Sequence, residues 1–104
     1  MTERYVLRLY VAGPLPASAR AVEAVREVCE EYLRGRYDLE VIDVYQQPQL
    51  ALDAKIDAVP VLVKRSPAPV RRILGDLSNR EQLLLDLDLK PSRHEEKRRP
   101  AKKP

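Results

Sequence analysis

Thiols, imidazoles and large aromatic anchors are what this chain of 104 residues goes without: it has no Trp, no Phe, one Cys (Cys29) and one His (His94). A single thiol excludes an intramolecular disulfide and any CxxC pair, and with one imidazole beside it no metal site of soft ligands can be assembled. Glycine is scarce too, at three, and no Gly-rich phosphate loop or nucleophile elbow occurs. His94 sits in a charged terminal run, and Asp86 and Asp88 are two apart on an expected helix, where they do not share a face. The expectation is a protein that is not an enzyme, with no catalytic residue, no metal and no cofactor. No apolar run approaches the eighteen or so residues of a membrane span. The N-terminal MTERYVLRLY lacks the apolar stretch and cleavage site of a secretory signal, so the chain reads as cytoplasmic.

What is present suits one small domain. The composition is 44% hydrophobic with five Tyr, so the core must be built from Leu, Val, Ile and Ala. The formal charge of +3 is uneven: residues 90–104 carry seven Lys or Arg against Glu95 and Glu96, a net +5, which leaves −2 for residues 1–89. That division predicts a folded domain over 1–89 and a basic, disordered tail over 90–104, which holds too little apolar surface to offset chain entropy. The tail could attract nucleic acid non-specifically. It has no interleaved aromatics for stacking and follows no recognition helix, so a solubilising role is the expectation and nucleic acid is not expected as a partner.

Tyr5, Leu7, Leu9 and Val11 alternate with Val6, Arg8 and Tyr10, which predicts a strand over Arg4 to Ala12. Gly13-Pro14-Leu15-Pro16 breaks regular structure. Ser18 is placed to cap a helix carrying Val22, Val25, Val28, Cys29, Tyr32 and Leu33, ended by Gly35 with Arg34 and Arg36 near its negative pole. Asp38 to Tyr45 is a second strand, which makes a βαβ unit. Pro48 opens a short helix with Leu50, Ala51 and Ala54. Val59 to Lys64 reads as a strand headed by a proline, Ser66 to Pro69 as a connection, and Val70 to Leu74 as a fourth strand. Gly75-Asp76 marks a turn. Ser78-Asn79-Arg80-Glu81 matches a capping box before a last helix with Leu83, Leu84 and Leu87. The order β-α-β-α-β-β-α is that of thioredoxin-like α/β domains.

Redox-active members of that fold carry thiols between the first strand and first helix, where the helix terminus lowers a thiol pKa. Here that loop holds none, and Cys29 lies on the apolar face of the helix as a small core residue. Pro60 occupies the place where such domains carry a cis-proline, against the trans default of an ordinary strand edge. Arg71-Arg72 must point to opposite faces of its strand. Forked guanidinium donors suit phosphate or an acidic protein surface, the plainer expectation being a solvated strand with one arginine paired to a nearby Asp or Glu.

Five segments, YVLRLYVAG (Tyr5 to Gly13), Pro16 to Ala21, Val41 to Ala51, Lys55 to Pro60 and PVRRILGDLSNRE (Pro69 to Glu81), resemble the KaiB family of circadian clock proteins, in register over roughly residues 4–89. The resemblance implies a fold-switching regulator. One state is thioredoxin-like and monomeric and binds the N-terminal ATPase ring of the KaiC hexamer. The other, a ground state, self-associates as a dimer or tetramer with an alternative fold in the second half. It also implies sequestration of KaiA where KaiA exists, and competition with a SasA-type kinase. By position it assigns KaiC binding or the switch to Tyr5, Arg20, Gln49, Lys55, Arg71, Arg72, Asp86 and Asp88.

Two departures from the family pattern stand out. A Gly-x-Asp near the end of the last helix is here Asp86-Leu87-Asp88, and replacing a helical glycine is expected to tilt the chain toward the thioredoxin-like state. The tail is basic where familiar cyanobacterial members are acidic, which points to a divergent or non-cyanobacterial member. Against this reading stand two others: a thioredoxin-like stress or redox adaptor without active-site thiols, and a nucleic-acid adaptor acting through the tail.

Overall fold

The computed structural model describes residues 4–13 and 15–89; the basic segment 90–104 lies outside them. Four strands form one mixed sheet in the order β2-β1-β3-β4. The central strand β1 (Tyr5–Val11) pairs in parallel with β2 (Tyr37–Asp43), from Tyr5↔Tyr37 to Val11↔Asp43. A parallel pair requires a crossover, and α1 (Pro16–Tyr32) supplies it. On its other side β1 runs antiparallel to β3 (Val61–Ser66), with a register shift between Val6 and Leu7. At the far edge β4 (Arg71–Ile73) pairs with β3 through Leu62↔Ile73, Val63↔Arg72 and Lys64↔Arg71. Two short helices complete the described residues, α2 (Pro48–Asp53) after β2 and α3 (Arg80–Asp86) after β4.

The two-residue period of β1 divides the interior in two. Tyr5, Leu7, Leu9 and Val11 face α1 and α3 and pack with Val25, Val28, Leu33, Leu62, Ile73, Leu83 and Leu87. Tyr10 faces the other way with Ile42, Val61 and Val63, where Leu50, Ala54 and Ile56 cover them. Helices as short as α2 and α3 are not stable alone, so packing and end contacts hold them. Lys64 is buried on the α1–α3 side at 2% exposure, and its Nζ donates to the Pro67 carbonyl at 2.8 Å.

Both expected serine caps are displaced. Helix α1 starts at Pro16, whose fixed φ and missing N–H suit a first helical position, so Leu15 is the N-cap and offers no side-chain bond. Ser18 falls inside the first turn, buried, where its Oγ accepts the Ala12 N–H at 3.0 Å and ties the helix to the end of β1. Ser18→Ala should cost about 1–3 kcal/mol, the penalty for a buried donor left without an acceptor; urea unfolding of the two proteins measures it. In α3 the cap is Asn79, whose Oδ1 accepts the Gln82 N–H at 3.1 Å. Ser78 turns back instead, and its amide and hydroxyl both donate to Asp76, whose carboxyl is held below the usual range by the hydroxyl first and the amide second.

Arginines close all three helices at the C-terminal end, where carbonyls lack intrahelical donors. The Arg36 guanidinium donates to Tyr32 O of α1 at 3.2 Å, just past Gly35, which has the left-handed φ of +78° expected of a helix stop. Arg71 donates to Asp86 O of α3 at 2.9 Å, and Arg72 to Lys55 O at 3.0 Å and to Ala54 O at the end of α2. The two neighbours of β4 therefore do face opposite sides, but their partners are backbone carbonyls, not the nearby carboxylate that was expected.

Candidate functional site

Helix α2 is too short to cover its face of the sheet, and a groove of about 510 Å³ remains between it and β4. Tyr10 and Val63 make its floor, Leu50 and Ala54 one wall, and Val70 the other. Around this apolar floor stand Arg8, Lys55, Arg65 and Arg72 against one acid, Asp53. The charges are unequally occupied. Arg8 lies 3.4 Å from Glu40, Asp53 accepts from the Gln49 side chain at 2.9 Å, and Arg72 is committed to the α2 carbonyls. The side chains of Lys55 and Arg65 make no hydrogen bond or ion pair with any described residue. A cation without an internal partner is free to meet an anion from outside, and an apolar floor with a basic rim suits a protein surface that carries carboxylates around an apolar residue.

The nine residues singled out in the sequence fall into separate places. Gln49, Lys55 and Arg72 lie together on α2 and beside it. Tyr5, Arg71, Asp86 and Asp88 gather on the opposite face at the end of α3, where the Tyr5 hydroxyl donates to Leu87 O at 3.4 Å. Arg20 is exposed on α1 and lines a shallow cleft with Ser78 and Arg80. Pro60 precedes β3, and its peptide bond with Val59 is cis, as are Ser66–Pro67 and Ala68–Pro69. Sequence reasoning missed Arg8, Tyr10 and Arg65 as groove residues. The alternation of β1 does place Arg8 and Tyr10 on one face, but which helix would leave that face open is a matter of α2's length.

Asp88 is not on the helix as expected. Helix α3 stops at Asp86, and Asp88 takes a left-handed φ of +59°. The Asp88 N–H donates to Leu85 O at 3.1 Å and the Leu89 N–H to Leu84 O at 2.8 Å, the two bonds of a Schellman end. Helix α2 ends in the same way at Lys55, with φ +58°, through Lys55 N–H to Leu52 O and Ile56 N–H to Ala51 O. A side chain in that backbone region is unfavourable by roughly 1 kcal/mol relative to glycine. Asp88→Gly should therefore stabilise the fold described here by about 0.5–1 kcal/mol, read as a shift in the urea midpoint at unchanged slope.

Cys29 is fully buried, and burial pushes its thiol up to about 12, so it carries no thiolate at neutral pH. Among the described residues no group of His, Cys, Asp and Glu is arranged to hold a metal, and no helix is long and apolar enough to cross a membrane.

A family model for the KaiB domain matches residues 8–89. A protein of Prochlorococcus marinus (strain MIT 9312) described as circadian clock oscillator protein KaiB is 56% identical over 85 residues, which is 82% of this chain and 81% of that one. The chain belongs to the KaiB family. The protein of that description from Thermosynechococcus vestitus is 53% identical over 89 residues, 86% of this chain and 82% of its own length. Among solved structures, this KaiB-family domain is similar to the N-terminal domain of Synechococcus elongatus SasA, with a TM-score of 0.66 and 28% identity over 85% of this chain and 87% of that one. Mitochondrial thioredoxin 3 of Saccharomyces cerevisiae gives a TM-score of 0.67 at 17% identity, over 85% and 81% of the two chains. That likeness is one of fold alone, and it establishes the thioredoxin-like arrangement expected from the element order.

Proposed function

We propose that this chain is a non-enzymatic clock regulator that binds the N-terminal ATPase ring of a KaiC hexamer through the α2 face and so modulates the phosphorylation or ATPase cycle of KaiC. The observation that carries the proposal is the identity above one half, over four fifths of the chain, with circadian clock oscillator proteins. The groove supports it: Lys55 and Arg65 would supply charge, Tyr10, Val63 and Val70 apolar contact, and Gln49 and Arg72 would set α2. Arg20, on the α1–α3 face, would serve KaiC binding or the switch from a separate place, the cleft it shares with Ser78 and Arg80. The second cluster, Tyr5 with Arg71, Asp86 and Asp88, would belong to the fold switch, since each touches or forms the end of α3. In that reading the chain exchanges between the thioredoxin-like monomer and a self-associated state with a different second half. Asp86, the last helical residue of α3, stands in place of glycine and favours the former, because glycine at a helical position costs up to about 1 kcal/mol more than a residue with a side chain. Likeness to the SasA domain supports competition for one KaiC surface by two proteins of one fold. Where the host has KaiA, the ring-bound chain would sequester it. Residues 90–104 are proposed to act as a separate basic tail that is not needed for ring binding.

The test is size-exclusion chromatography of the full chain with the host's KaiC and ATP, beside the free protein's own mass. A complex that forms in the presence of ATP supports the reading, and absence of a complex with every KaiC paralogue of the host overturns it. A thioredoxin-like redox adaptor is disfavoured by the burial of the chain's sole thiol, and insulin reduction should be blank.

A further inference from the structure

Strand β4 has three residues, is an edge of the sheet, and has one buried side chain, Ile73. Its other two residues reach through opposite faces to the ends of the two shortest helices among the described residues. Helices α2 and α3 have six and seven residues, and both stop on a left-handed residue that is not glycine, Lys55 and Asp88. Such ends are strained and stay in place only when something outside the helix holds them. For α2 that is Arg72, on the carbonyls of Ala54 and Lys55; for α3 it is Arg71, on the carbonyl of Asp86. In both cases a positive charge also meets the negative pole of the helix. Because the two arginines are adjacent, neither can leave its helix by a movement of β4 without shifting the other.

We propose that Arg71-Arg72 is a two-sided latch that makes the C-terminal ends of α2 and α3, on opposite faces of the sheet, form and open together through β4. The latch links Asp86 and Asp88 on one face to Lys55 and the rim of the groove on the other. An event at the end of α3 thereby reaches the α2 face across the sheet. The coupling is a property of the chain itself and holds whatever the groove binds.

Amide hydrogen exchange of the full-length protein, followed by NMR, tests it. The reporters are the Schellman donors of the two ends, Lys55 and Ile56 for α2 and Asp88 and Leu89 for α3. Arg71→Met removes a contact with α3 only, yet it should speed exchange about tenfold at all four amides, the effect of losing a charged hydrogen bond, while the β1 amides keep their protection. Arg72→Met should do the same from the other side. Acceleration confined to Asp88 and Leu89 in the first variant and to Lys55 and Ile56 in the second would show two independent caps and overturn the latch. Should Arg71→Met accelerate the β1 amides equally, which marks global opening, Arg71→Lys is scored at the same four positions by the same criterion.

Discussion

Lys55→Glu combined with Arg65→Glu should weaken the proposed association with a KaiC ring by about a hundredfold. Each side chain stands on the rim of the groove with no partner among the described residues, so each reversal replaces an attraction across the interface by a repulsion, about tenfold apiece. Neither side chain holds a hydrogen bond or ion pair among the described residues. Reversal at Lys55 puts an acid at the negative end of α2, so the stability of the free variant should stay within about 1 kcal/mol of the parent. Two readouts separate this from damage: circular dichroism and the urea midpoint of the free variant, and the salt dependence of binding. Wild-type association should weaken between low and high salt and the variant's should not, because rim charges act through steering that ions screen. Undiminished binding by the variant would remove the groove from the proposed KaiC contact while leaving family membership untouched.

The second large effect lies inside the fold. Ile73→Ala should destabilise the protein by about 2–4 kcal/mol, the usual range for truncating a buried isoleucine where the surroundings close only partly. Ile73 is 4% exposed, pairs with Leu62 and packs in the α1–α3 core. Its neighbours in β4 are both exposed, so no other side chain of that strand contributes burial. Urea unfolding measures the total. A loss below 1 kcal/mol would mean that the hydrogen bonds of Arg71 and Arg72 hold β4 without its apolar anchor.

Most of the architecture was legible because periodicity does not depend on neighbours. The alternation of Tyr5, Leu7, Leu9 and Val11, the helical spacing from Val22 to Leu33 and the proline before β3 specify their elements from a few residues each. What could not be read was which of several competent local groups would win. Ser18 and Ser78 were both plausible caps, but Pro16 starts α1 three residues before a Ser18 cap would, and Asn79, one place further on than Ser78, caps α3 through the Gln82 amide. The pairing of Arg71 and Arg72 was obscured for another reason. A guanidinium is expected to seek a carboxylate, and the carbonyls it found become available only once α2 and α3 have ended where they do. The groove was the least legible feature, since it is the part of a sheet face that a six-residue helix fails to reach.

Cys29 lies in the half of the molecule that the latch does not touch, packed between α1 and the sheet. As the chain's sole thiol, fully buried and with its pKa pushed up to about 12 by that burial, it makes the protein its own gauge of opening around α1. A thiol reagent at neutral pH counts the excursions that uncover Cys29 between α1 and the sheet, and exchange at the Leu89 amide counts those of the α3 end. Labelling that lags behind exchange at Leu89 would then time the two halves separately in one unmodified chain.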